Sequence, residues 1–97
     1  MSNAAADRLD AVTKDLHQAL EARFGDLLGT IRAAETVGRQ IQSLDDEIRR
    51  VTMRGDRARA GGDAETASAL EDELAELEGM REQQVEDLAA LAGRVHG

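Results

Sequence analysis

Ninety-seven residues give room for one small domain, and the composition excludes several classes of function. With no Cys there is no disulfide, thiol chemistry or Cys-based zinc site; Pro, Trp and Tyr are also absent, and Phe24 is the only aromatic. A net charge of −8 argues against direct nucleic-acid binding, which needs a basic surface to displace counterions, and against an anionic membrane surface.

A chain that is 33% charged, with Ala, Leu, Val and Ile as its apolar residues, suits narrow helix–helix seams better than a broad globular core. Met1–Ala6 lacks the basic start and apolar run of a signal peptide, and no stretch is apolar enough for a transmembrane span. A cytoplasmic protein without a membrane role is therefore expected.

The first predicted element is a helix over about 5–24. Leu9, Val12, Leu16 and Leu20 recur at steps of three and four and share one face. With Phe24 they form a candidate partner or oligomer interface. Phe24-Gly25-Asp26 then predicts a break, because Gly25 can take the left-handed conformation that ends a helix and Asp26 can cap the next. Gly29-Thr30 is a second such place. A helix running through both glycines costs roughly 1 kcal/mol for each relative to Ala.

The second predicted helix spans about 27–59, with the stripe Leu27, Ile31, Ala34, Val37, Ile41, Leu44, Ile48 and Val51. Two consecutive steps of three around Val37 interrupt its heptad rhythm. A turn at 60–63 follows, where Gly61-Gly62 breaks the helix and Asp63 caps the next. The third helix, about 64–95, carries Ala67, Leu70, Leu74, Leu77, Leu88, Leu91 and Val95. Between Leu77 and Leu88 the regular stripe positions are Arg81 and Gln84, flanked by Met80 and Val85.

Folding the chain at Gly61 sets Ile48 opposite Leu74, Leu44 opposite Leu77, Ile31 opposite Leu91 and Val37 opposite Val85. The irregular steps of the two stripes then meet. The charges agree with an antiparallel pairing. Residues 63–87 hold ten acids and one base, whereas residues 32–59 hold seven Arg and five acids. Arg49 and Arg50 are expected near Glu73 and Asp72, and Arg57 near Glu65; such pairs select register more than they add stability. The fold class expected is all-α: a long antiparallel coiled-coil hairpin plus an N-terminal helix folded onto its open end, a three-helix arrangement.

Chemistry has little material. His17 and His96 have no partner spacing for a helical metal site, and no Ser or Thr has a His–acid constellation. Asp45-Asp46-Glu47 and Glu71-Asp72-Glu73 point around the helix and read as solvated faces. No catalytic residue, cofactor or metal is assigned. Arg54-Gly55-Asp56 spells an integrin-recognition tripeptide, which acts from an exposed loop; coincidence is the leading reading in a chain rich in these residues. Arg54, Arg57 and Arg59 make the hairpin tip locally basic and are candidate contacts.

The stretch Ala64–Leu74 resembles the second helix of the UVR motif of nucleotide-excision-repair proteins at Glu65, Ala67, Leu70, Asp72 and Glu73. It departs at Ala64 and Glu71 and is too short and generic to assign a family. In size and helical character the chain is similar to small type VII secretion substrates, but their Trp-x-Gly turn is missing. The expected function is non-enzymatic: a structural or adaptor coiled coil acting through helix–helix contacts, in a homo-oligomer or with a protein partner. The alternative is a small acidic inhibitor or regulator, of bacterial or phage origin, occupying a basic site on its target. A secreted helical-hairpin substrate is the third reading.

Overall fold

A computed structural model describes residues 3–96, apart from the side chain of His96; Met1, Ser2 and Gly97 lie outside this description. The described residues form two helices, α1 over Asn3–Ala60 and α2 over Ala64–His96, packed side by side as an antiparallel hairpin. The molecule measures 94 × 16 × 14 Å. At 1.5 Å per residue the 58 residues of α1 alone account for about 87 Å of that length.

The expected third helix therefore does not exist as a separate element. The divisions at about 5–24 and 27–59 belong to one uninterrupted helix, and residues 3–26 extend beyond the hairpin as an arm. Two physical reasons account for this. A break would orphan backbone donors and acceptors on both sides of Gly25, a larger loss than two helical glycines. The hairpin also has no second apolar face to receive a returning helix. Its stripe is turned toward α2, and the opposite side of α1 carries Arg32, Glu35, Thr36 and Arg39 in solvent. At the expected break Asp26 caps nothing; its carbonyl instead accepts a hydrogen bond from Thr30 Oγ1 at 3.0 Å, as in an ordinary helical turn.

The turn at Gly61-Gly62-Asp63 closes both helix ends. Asp63 N–H donates to the Ala58 carbonyl at 2.9 Å and Gly62 N–H to the Arg59 carbonyl at 3.1 Å, the paired bonds of a Schellman motif. Gly62 has φ +73°, the left-handed backbone this motif needs at that residue. Asp63 then caps α2: its Oδ1 accepts from Thr66 N–H at 3.1 Å. Hydrogen bonds from Thr66, through its side chain and then its backbone, hold the Asp63 carboxyl below its ordinary pKa.

This contribution is present above the unfolded carboxylate pKa of about 3.9 and is lost as pH falls through the lower folded value. Thermal melts of the protein and of an Asp63→Asn variant should therefore converge or cross below about pH 4, because Asn caps the helix without titrating. A constant difference between the two melts from pH 7 to pH 2 would contradict this.

The core is thin and concentrated near the turn. Val51 is 1% exposed, and Ala67 and Leu70 are each 5% exposed. Val37, Ile41, Leu44, Ile48, Leu74, Leu77, Leu88 and Leu91 are half-buried along the seam. The expected seam residues Leu27, Ile31, Val85 and Val95 are exposed and form its edge, not its core. Each helix has only one neighbour, so residues even slightly off the contact line stay in water.

Candidate interaction surface

Three regions offer surface chemistry: the hairpin tip, a polar layer in the seam, and the uncovered arm. At the tip, Gly55 continues the stripe four residues after Val51 and is buried. A Cβ built on it would lie 3.9 Å from Leu70 Cβ, an ordinary van der Waals distance, so Gly55 faces Leu70 across the seam and the site has room for an alanine. The sequence carried this signal in the spacing Val51–Gly55–Ala58. The tripeptide Arg54-Gly55-Asp56 lies inside α1 with its glycine buried, not in an exposed loop.

The basic tip is partly neutralised. Arg59 pairs with Asp56 at 2.9 Å and with Glu71 across the seam at 3.1 Å. Arg54 and Arg57 are exposed and make no ion pair among the described residues. Arg57 therefore does not meet Glu65. Arg49 and Arg50 do not reach Glu73 and Asp72 either; they pair within α1, with Asp46 at 3.9 Å and Glu47 at 2.7 Å. An i,i+3 partner on the same helix is held in reach by the helix itself, whereas an exposed cross-helix pair must order two long side chains.

Midway along the seam, Arg81 Nε donates to Asp45 Oδ1 in a short, partly buried hydrogen bond between the helices. That bond, then the charge of Asp45, raises the Arg81 pKa above its ordinary value. One turn on, Gln84 Oε1 is buried and accepts no hydrogen bond among the described residues. Met80 and Val85, the apolar residues on either side, face outward at 56% and 40% exposure. Val85 lines a groove with Asp45, Ile48 and Arg81, and the Asp45–Arg81 register places it opposite Ile41, one turn from Val37. The helical period decides which residues point inward. Leu77, Arg81, Gln84 and Leu88 keep the regular steps, and a straight helix cannot rotate to exchange them for better hydrophobes.

Asp45 meets Arg81 and Gly55 meets Leu70, a register three to four residues farther along α2 than folding at Gly61 provides. The turn is centred on Gly62, between helix ends at Ala60 and Ala64, and this accounts for part of the offset.

The arm holds all five candidate interface residues, and α2 covers none of them. Leu9 is 67% exposed, Phe24 is 62% exposed, and Val12, Leu16 and Leu20 lie between 56% and 59%. Because α1 does not break, their stripe runs on through Leu27 and Ile31 into the seam at the same steps of three and four. The cover gives out at an open groove of about 680 Å³ lined by Leu20, Phe24, Leu27, Thr30, Arg94 and Val95.

Among the described residues no group of three His, Asp or Glu side chains is placed to hold a metal ion, and no helix is long and apolar enough to cross a membrane. His17 faces solvent, with Nε2 3.0 Å from Glu21 one turn away. Comparison of the chain with known protein families, with curated proteins and with solved structures gives no match.

Proposed function

We propose that this chain is a non-enzymatic assembly element of the cytoplasm, a hairpin that presents residues 3–26 of α1 as a docking strip for another helix. One observation carries the reading: the stripe that α2 covers along the hairpin continues uncovered through Phe24, Leu20, Leu16, Val12 and Leu9. A lone helical arm of this length containing Gly25 is marginal in water. A second helix would bury its stripe and supply the stability that its own backbone does not.

Sedimentation and hydrogen exchange test this together. The protein should sediment above 10.4 kDa at tens of micromolar, with amides of residues 3–26 gaining protection as concentration rises. The Val12→Asp/Leu16→Asp variant should remain a monomer with the hairpin unfolding transition retained. An arm equally protected in a strict monomer would remove the basis for the reading.

The acidic face of α2 favours a second reading. Asp72, Glu73, Glu76, Glu78 and Glu86 are exposed and make no ion pair among the described residues. Such a face suits a regulator occupying a basic site. Salt-sensitive capture of a basic partner by a variant lacking the arm stripe would favour that role.

A further inference from the structure

We infer that the occupant of the arm is a second copy of this chain, lying antiparallel with its twofold axis at Leu16. The inference rests on the docking reading above and commits it to a partner and a direction. The spacing of the stripe is the first argument. Val12 and Leu20 lie four residues to either side of Leu16, and Ala5 and Leu27 lie eleven. Leu9 lies seven before; Arg23 and Phe24 lie seven and eight after, offering an aliphatic stem and a ring. The stripe therefore reads nearly the same in both directions, as an isologous antiparallel interface requires. Val12 of one copy meets Leu20 of the other, and Leu16 meets itself.

Charge is the second, independent argument. Arg8 and Asp26 are eighteen residues apart, five full turns at 3.6 residues per turn, so they share one flank of the stripe. In an antiparallel pair like flanks meet. Arg8 of each copy then arrives within a turn of Asp26 of the other, and the twofold axis makes that pair twice. Asp15 lies on the same flank near the axis and meets its own copy, a repulsion that the two Arg8–Asp26 pairs offset. His17 and Glu21 lie toward the opposite flank, 3.0 Å apart within the helix. Asp10 shares that flank and arrives beside Glu21 of the other copy, a second repulsion, so Asp10→Asn should tighten the dimer as Asp15→Asn does.

The second copy follows the track of α2 beyond Val95. The seam becomes two-stranded from one hairpin tip to the other, in a rod of about 130 Å at 1.5 Å per residue. A parallel dimer in register would stay near the 94 Å of the single chain.

The chain has no cysteine of its own, so introduced thiols report the direction without background. Mixed Val12→Cys and Leu20→Cys chains should crosslink to each other, Leu16→Cys should crosslink to itself, and neither Val12→Cys nor Leu20→Cys should do so alone. Arg8→Asp should weaken the dimer roughly ten-fold, with Asp26→Arg in the same chain restoring it, and Asp15→Asn should tighten it. Self-crosslinking of Val12→Cys and of Leu20→Cys would establish a parallel pair, overturning this inference while leaving the docking strip intact. No crosslink in any combination, with the wild type at 10.4 kDa throughout, would overturn the second copy as occupant. The arm's exchange protection would then decide the fate of the docking reading separately.

Discussion

Val51→Asp should abolish the cooperative unfolding of the hairpin. Val51 is the most deeply buried large side chain among the described residues, at 1% exposure, and it lies beside Gly55 and Leu70 at the tip end of the seam. The substitution removes apolar burial worth about 1.5–3 kcal/mol and forces a carboxylate either into the seam or out through it. A total loss of about 3–5 kcal/mol is comparable to the stability of a small domain. Circular dichroism should show a shallow melt with no defined midpoint. Val95→Asp serves as the contrast, because Val95 is 44% exposed and its substitution should cost about 1 kcal/mol or less. Equal effects at both sites would mean that the hairpin is not held from its tip.

Gln84→Leu should act in the opposite direction. The substitution removes a buried amide oxygen without a hydrogen bond among the described residues and adds an apolar side chain on the contact line between Leu77 and Leu88. Removing an unsatisfied buried acceptor and adding apolar burial together contribute about 1–2 kcal/mol, read as a higher denaturant midpoint at unchanged slope. The register should be unchanged, because the variant keeps the Arg81–Asp45 pair across the seam. A lower midpoint would show that the Gln84 amide is satisfied in solution and belongs to a working polar layer.

These two sites differ in how far the sequence exposed them. Val51 lies on an unbroken apolar stripe and reads directly as core. The inward position of Gln84 follows from period alone, and a reading weighted by hydrophobicity prefers Val85. The cross-helix Asp45–Arg81 bond was hidden for another reason. Many acids on α2 face several arginines on α1, and charge balance indicates that the helices run antiparallel without saying which residues pair. Local i,i+3 partners then claimed Arg49 and Arg50. Gly55 was legible by spacing, but a glycine has no hydrophobicity to announce its burial, and it falls within the tripeptide Arg54-Gly55-Asp56.

The dipeptide Gly-Asp occurs at 25–26, 55–56 and 62–63, and comparing 25–26 with 62–63 separates what local sequence controls from what it does not. By itself the sequence determined that the chain is helical, that it turns at Gly61-Gly62-Asp63, and that its apolar residues line one narrow stripe. These follow from composition, helical period and capping chemistry, which act within a few residues. Unlike Gly62, Gly25 stays in the helix, and only the tertiary structure decided that. At the first place the chain can reverse and bury Val51 against Leu70, and that packing offsets the broken helical bonds. At the second a reversed arm would meet the charged outer side of the hairpin, so nothing offsets the break. The helix runs on, and the stripe from Leu9 to Phe24 is left facing water, available to another helix.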